Sequence, residues 1–211
     1  RRVLFRSGAV IVIGAATGFV WWRKHSRDAS GTAFATAMSV AESQIAPAPT
    51  VPGATQAPGT FPNPKARQEA TVAAFQKVAG AYPSSGDGIA AAYQAAGVLM
   101  AMGKAPEAQK AYEDVIKRAG GTSLYGYSAR LGLAESLASQ GQYDKAIKEY
   151  SDLAAQRDSL LPMDGVLVAL ARTQVKAGKP ADARATFKRV VDEFPTSVYA
   201  NEARQQVAAL G

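Results

Sequence analysis

Residues 133–150 read LAESLASQGQYDKAIKEY, and this stretch decides the fold. It places Ala134, Gly141, Ala146 and Tyr150 at intervals of seven, five and four residues, with Leu153 three residues later. The same pattern occurs once before and once after it, at Ala96, Gly103, Ala108, Tyr112 and Val115, and at Ala171, Gly178, Ala183, Phe187 and Val190. The three glycines are 38 and 37 residues apart. A fixed period in this range predicts a solenoid built from helix pairs.

Each position of the pattern has a physical role in a helix pair. The glycine ends a first helix, because it adopts the left-handed conformation that a helix C-terminus favours. Pro106 and Pro180 then stand where a second helix begins, a position that tolerates proline. The two alanines are small, so two helix backbones can approach closely there. The aromatic residue lies one turn after the second alanine, on the same face, and fills the space between neighbouring pairs.

Residues 133–150 and 170–195 resemble tetratricopeptide repeats in these positions and in the closing Pro195. The resemblance implies an all-α fold, a right-handed α-solenoid whose surface binds other proteins and which is not an enzyme. We expect the repeat domain to cover residues 67–211. Its expected parts are units at 67–87, 88–121, 124–161 and 163–197 and a capping helix at 198–211.

The N-terminal region has a different composition. Gly8 to Trp22 is uncharged and apolar and predicts a transmembrane helix, although its 15 residues are fewer than the roughly 20 that span a bilayer. A signal peptide cleaved near Ala33–Ala35 is the alternative. Gly14 and Gly18 have the spacing of small residues at which membrane helices pack, which makes them a candidate homodimer contact. Residues 1–7 match the translation of a sequencing adapter, so we interpret them as an artefact; the alternative is a genuine basic segment.

Two further segments separate this run from the repeats. Residues 23–45 predict a juxtamembrane helix. Residues 46–66 carry six of the chain's eleven prolines, at Pro47, Pro49, Pro52, Pro58, Pro62 and Pro64. This composition predicts an extended linker that lets the repeats reach a partner at some distance from the membrane.

The orientation in the membrane has two interpretations. Arg23, Lys24 and Arg27 follow the apolar run, and basic residues favour the cytoplasmic side. However, one apolar helix ending in Trp and basic residues, followed by tetratricopeptide-like units, is similar to the ancillary Sec-translocon subunit family. That resemblance implies a bacterial inner-membrane protein with a periplasmic repeat domain. The expected function is a membrane-tethered scaffold in envelope protein translocation or chaperone networks; the alternative is an accessory subunit of a cell-division or cell-wall assembly complex.

Charge and composition argue against several other functions. The net charge is +7, but a net five of these charges lie in residues 1–28, and the remaining basic residues alternate with acidic ones. The chain therefore lacks the basic stripe of a nucleic-acid-binding protein. It has one histidine, His25, and no cysteine, so we expect no metal site, no nucleophile–histidine catalysis and no cofactor.

The binding surface can be predicted from the period. In stacked helix pairs the first helix of each unit lines the concave face. Counting back ten, six and three residues from each glycine gives a mainly apolar groove of Tyr93, Gly97, Met100, Leu131, Glu135, Ala138, Val168, Arg172 and Val175. Such a groove suits an extended or helical hydrophobic segment of a partner. Alternatively, these side chains only pack against helices formed by residues 33–44 or 67–82.

Overall fold

The computed structural model describes residues 28–50, 55–156 and 160–211. The regular secondary structure of these residues is helical apart from two short strands, β1 (Gln44–Ile45) and β2 (Thr60–Phe61). The helices are α1 (28–41), α2 (Pro64–Ala81), α3 (Gly86–Ala101), α4 (Ala105–Ala119), α5 (Leu124–Ser139), α6 (Tyr143–Ala154), α7 (Met163–Lys176), α8 (Pro180–Glu193) and α9 (Ala200–Ala209). No helix within these ranges is both long and apolar enough to cross a membrane. The predicted membrane segment at 8–22, with Gly14 and Gly18, lies outside the described residues.

The three periodic glycines each end the first helix of a pair, as predicted. Gly103, Gly141 and Gly178 have φ of 73°, 74° and 70°, in the left-handed region that favours glycine. The residue after each glycine makes a backbone hydrogen bond to the last turn of the helix. The N–H of Gln142 donates to the carbonyl of Leu137 (3.0 Å), and equivalent bonds follow Gly103 and Gly178. This pairing satisfies a helix-end carbonyl and turns the chain into the second helix.

Close helix contacts hold each pair together. Ala108, Ala146 and Ala183 are all 0% exposed, which confirms that the second alanine of the pattern lies where two backbones meet. The aromatic side chains Tyr112, Tyr150 and Phe187 are also buried, and each belongs, with the aliphatic residue that follows it in the pattern, to one of three successive hydrophobic clusters along the solenoid.

The helices form two layers. Consecutive helices pack on each other from α2 to α9. In addition, α3 contacts α5 and α5 contacts α7, whereas the corresponding contacts between even-numbered helices are weaker or absent in the described part of the chain. The odd-numbered layer is therefore the more closely spaced, and it lies on the inner, concave side of the solenoid.

The N-terminal helix is part of the folded domain. The ring of Phe34 on α1 lies 5.8 Å from that of Phe75 on α2, and Ala37 is buried in the same cluster. The Ser30 hydroxyl donates to the carboxylate of Asp87 on α3 (2.5 Å). Helix α1 thus covers the first face of the solenoid, as a capping element does in a repeat array.

The proline-rich segment differs from the extended spacer that its composition predicts. Strands β1 and β2 pair in parallel and bring the two ends of residues 46–59 together. The N–H of Ala46 donates to the carbonyl of Phe61 (2.9 Å), and the Gln56 side-chain amide donates to the Ala46 carbonyl (2.9 Å). These bonds replace hydration of the backbone at the ends of the loop. The described ends of the segment are therefore held together, whereas an extended spacer would keep them apart.

Two of the turns between units share a close backbone approach. The hydroxyls of Ser85 and Ser123 cap α3 and α5 by accepting bonds from the N–H groups of Gly88 (2.9 Å) and Gly126 (3.0 Å). A Cβ on Gly126 would lie 1.9 Å from the carbonyl oxygen of Gly120, and a Cβ on Gly88 would lie 1.8 Å from that of Tyr82. Only glycine fits beneath these carbonyl groups.

Candidate functional site: the inner groove

The inner face is lined by residues six and three positions before each periodic glycine. Met100 and Ala138 are half-buried, and Val175 is 41% exposed despite its apolar side chain. Glu135 and Arg172 are exposed between them, on α5 and α7. With Gly97, these are the predicted positions along α3, α5 and α7, and we call them the inner groove.

Of the three residues ten positions before the glycines, Val168 is fully buried, whereas Tyr93 and Leu131 are half-buried. Val168 is only 1% exposed and packs in a cluster with Ala203 of α9, so its prediction as a binding residue is wrong. Leu131 is half-buried in the middle cluster. Tyr93 is half-buried, and its ring lies 5.8 Å from that of Tyr125 on α5. These side chains point toward the next odd-numbered helix, because the inner helices pack side by side.

Three tyrosine side chains, Tyr93, Tyr112 and Tyr125, lie close together where α3, α4 and α5 meet. The ring centroids of Tyr93 and Tyr112 are 6.0 Å apart. Tyr112 crosses directly over Gly132, where a Cβ would stand 2.3 Å from its Cζ atom, and its hydroxyl is 3.9 Å from a Cβ placed on Gly97. Gly132, inside helix α5, thus makes room for the Tyr112 ring to reach the inner layer. The unexplained Gly132, within a helical pattern, was the available sequence signal for this arrangement.

Glu135 is the acidic group of the inner groove. Although the residue as a whole is exposed, partial burial of its carboxylate raises its pKa above the usual 4.5. Burial raises the pKa values of Tyr93, Tyr112 and Tyr150, and the negative charge of Glu135 raises each of them further. Across the described ranges, no hydrogen bond or ion pair engages the Glu135 carboxylate. The carboxylate is thus next to phenol groups but lacks a cation.

Arg172, the basic residue of the groove, is fully engaged within the chain. Its Nε and Nη2 atoms donate to the two carboxylate oxygens of Glu202 on α9, at 2.8 and 2.5 Å. Its guanidinium lies 5.9 Å from the ring centroid of Tyr199. The hydrogen bond from Arg172 lowers the pKa of Glu202. Arg172 therefore links α7 to the capping helix α9, and its charge is already paired within the chain.

Comparison with known families agrees with this arrangement of helix pairs. A family model described as a tetratricopeptide repeat-like domain matches residues 3–159, about three-quarters of the chain. The chain belongs to the tetratricopeptide repeat-like domain family. A second family model, described as a tetratricopeptide repeat, matches residues 166–197, which contain most of α7 and all of α8.

Solved structures of tetratricopeptide repeats share the fold. Crystallised TPR-like repeats of a Podosopora anserina protein superpose with a TM-score of 0.58 at 15% identity, covering 69% of this chain and 78% of the other. A tetratricopeptide repeat protein from Parabacteroides merdae gives a TM-score of 0.56 at 14% identity, covering 69% of this chain and 54% of the other. These likenesses support the solenoid fold alone. No curated protein sequence gives a significant match.

Replacing Glu135 in the tetratricopeptide domain should change how stability depends on pH. Because the folded-state pKa of Glu135 is raised, its ionisation destabilises the fold as pH rises through the ordinary pKa of glutamate and on to the folded-state value. Glu135→Gln lacks this ionisation. The melting temperature of the variant minus that of the parent should therefore increase as the pH is raised from about 4 to about 7. Melting curves followed by circular dichroism across this range measure the difference. A constant or falling difference would show that the carboxylate is fully hydrated.

Proposed function

We propose that this tetratricopeptide repeat protein is a protein-interaction scaffold that holds a polypeptide segment in its inner groove. The observation that carries the proposal is the apolar surface left accessible on the inner helices: Val175 of α7 is 41% exposed, and Ala138 of α5 and Met100 of α3 are half-buried. An apolar groove on a preformed helical surface suits an extended or helical segment of a partner. Tetratricopeptide folds generally bind proteins and do not carry out chemistry.

We further propose that residues 8–22 tether this scaffold to a bacterial inner membrane. The support is the uncharged apolar run, together with the similarity to the ancillary Sec-translocon subunit family. Only residues 23–27 separate this run from the described part of α1, which packs on α2. A tether at 8–22 would therefore hold the groove close to the bilayer. This position suits a partner in envelope protein translocation or a chaperone network.

The tether and its orientation can be tested with protease. If the repeats face the periplasm, protease added to intact spheroplasts should digest the repeat domain, and the remaining fragment should stay with the membrane. Protection until lysis would place the repeats in the cytoplasm. Release of the intact chain by salt alone would show that residues 8–22 do not anchor it.

A charge placed in the groove should prevent partner binding. Val175→Glu puts a carboxylate on the exposed apolar surface, where it loses hydration when a partner binds. We expect partner recovery from crosslinked membranes to fall about tenfold or more, the equivalent of about 1.4 kcal/mol. Ala185→Glu, at an exposed position on the even-numbered helix α8, is the matched control and should leave recovery unchanged.

The identity and pattern of the recovered proteins decide between the alternatives. Equal recovery with both variants would move the binding site away from the inner groove. Loss of translocon or chaperone subunits with Val175→Glu alone would support the proposed role. Loss of cell-division or cell-wall assembly proteins would assign the scaffold to that machinery instead.

A further inference from the structure

Two neighbouring repeats differ in how their charged groups in the inner groove are paired. The C-terminal repeat has a basic side chain bound to a carboxylate and an aromatic ring, whereas the middle repeat has a carboxylate and aromatic rings without a paired basic side chain in the described part of the structure. In the C-terminal unit Arg172 lies between the Glu202 carboxylate, at 2.5 and 2.8 Å, and the Tyr199 ring, at 5.9 Å. A carboxylate and an aromatic face together are a strong receptor for a cation, because they combine charge-assisted hydrogen bonds with a cation–π contact. This chain therefore already holds a basic side chain in this way.

The middle unit has the carboxylate and the aromatic rings but no cation. Glu135 lies six residues before Gly141, the position that Arg172 holds before Gly178. It follows Gly132 by one helical turn, and the Tyr112 ring covers Gly132. Tyr93 and Tyr125, 5.8 Å apart and each half-buried, form the adjoining wall on α3 and α5. Within the described residues, no lysine or arginine pairs with Glu135.

The Glu135 side chain is exposed on α5, so a ligand can reach its carboxylate. A cationic group of the ligand would supply the charge-assisted hydrogen bond that the described part of the chain does not itself make there. The charge that complements Glu135 is positive, and the partly accessible apolar residues of the inner helices, Met100 on α3 and Ala138 one turn after Glu135 on α5, favour a polypeptide over a small hydrophilic ion.

We propose that Glu135, Tyr93 and Tyr125 form a receptor for one lysine or arginine side chain of the polypeptide that binds in the inner groove. This inference rests on the proposed function, and it adds the chemistry of the partner. The partner segment carries a single basic residue that contacts the Glu135 carboxylate, flanked by apolar residues that contact Met100, Ala138 and Val175. The carboxylate sets the register of the segment, because it is the unpaired charge in the groove among the residues described.

Selection of peptides tests this directly. A displayed library of random 12-residue peptides is selected in parallel on the immobilised full chain, on Glu135→Gln and on Glu113→Gln. Glu113 is exposed on α4, where it only accepts a bond from Gln109, so the control removes the same charge elsewhere. We expect a fixed lysine or arginine in peptides selected by the parent and by Glu113→Gln. The same peptides should bind Glu135→Gln about tenfold or more weakly, because a charge-assisted contact is lost.

Two further variants separate the possible failures. Glu135→Lys should select peptides with an aspartate or glutamate at that position, which tests the receptor even if Glu135→Gln were poorly folded. Peptides that bind in the groove, as judged by their sensitivity to Val175→Glu, but that show no basic preference would overturn the cation receptor and leave the proposed function standing. Failure to select any peptide sensitive to Val175→Glu would overturn both.

Discussion

Phe187→Ala is expected to lower the free energy of unfolding by about 3–5 kcal/mol, the range for removing a buried aromatic side chain. Phe187 is 1% exposed and packs in one cluster with Leu167 and Val168 of α7 and Ala203 of α9. Its removal leaves a cavity at the point where three helices meet. Denaturant unfolding followed by circular dichroism measures the loss.

The location of the damage should follow the repeat architecture. Each repeat contacts only its neighbours, so amide hydrogen exchange should increase most in α7, α8 and α9 and least in α2 and α3. Phe187→Leu is the control, since it keeps most of the buried volume and should cost about 1.5 kcal/mol or less. If Phe187→Ala unfolded within 1 kcal/mol of the parent, the assigned register of the third repeat would be wrong.

Gly126→Ala should destabilise the domain by about 3 kcal/mol or somewhat more, at the upper end of the range for overpacking. The added Cβ would stand 1.9 Å from the carbonyl oxygen of Gly120, and this contact involves backbone that side-chain rotation cannot relieve. The start of α5 must then move away from the preceding turn. For a domain of this size the melting temperature should fall by about 6–12 °C.

Gly97→Ala is the matched substitution with the opposite expectation. Gly97 lies inside α3, and the nearest atom to an added Cβ is the Tyr112 hydroxyl oxygen at 3.9 Å, an ordinary contact. Alanine restricts the unfolded chain and favours the helix, so this variant should be about 0.4–1 kcal/mol more stable than the parent. Equal effects of the two substitutions would mean that helix propensity, and not the close approach at Gly126, determines the result.

The repeat period made the helix pairs predictable because it depends on local chemistry. Gly141 is needed for the left-handed turn, Ala146 for the close contact and Tyr150 for the space between units, so three residue types at fixed spacing define one structure. The period also identified which helices line the inner face. These features recur in every unit and therefore stand out in a single sequence.

Other features depend on contacts between distant residues. The period predicted three sets of positions on the inner helices, ten, six and three residues before each glycine. It could not show that members of the first set, such as Tyr93 and Val168, face the neighbouring helix. The closure of residues 46–59 rests on strand pairing and on the Gln56 amide, which composition does not reveal. The pairing of Arg172 with Glu202 joins residues 30 positions apart in different helices. Only the folded arrangement shows that Glu135 is the groove charge left without a partner in the described ranges.

Residue-specific photocrosslinking in living cells can show whether the inner groove holds a partner polypeptide. A benzophenone amino acid is placed at Val175 in the groove or at Ala185 on the outer layer, both of which are exposed. If the partner binds in the inner groove, position 175 should give a crosslinked product of discrete mass and position 185 should give none. Crosslinks from position 185 with none from position 175 would contradict it.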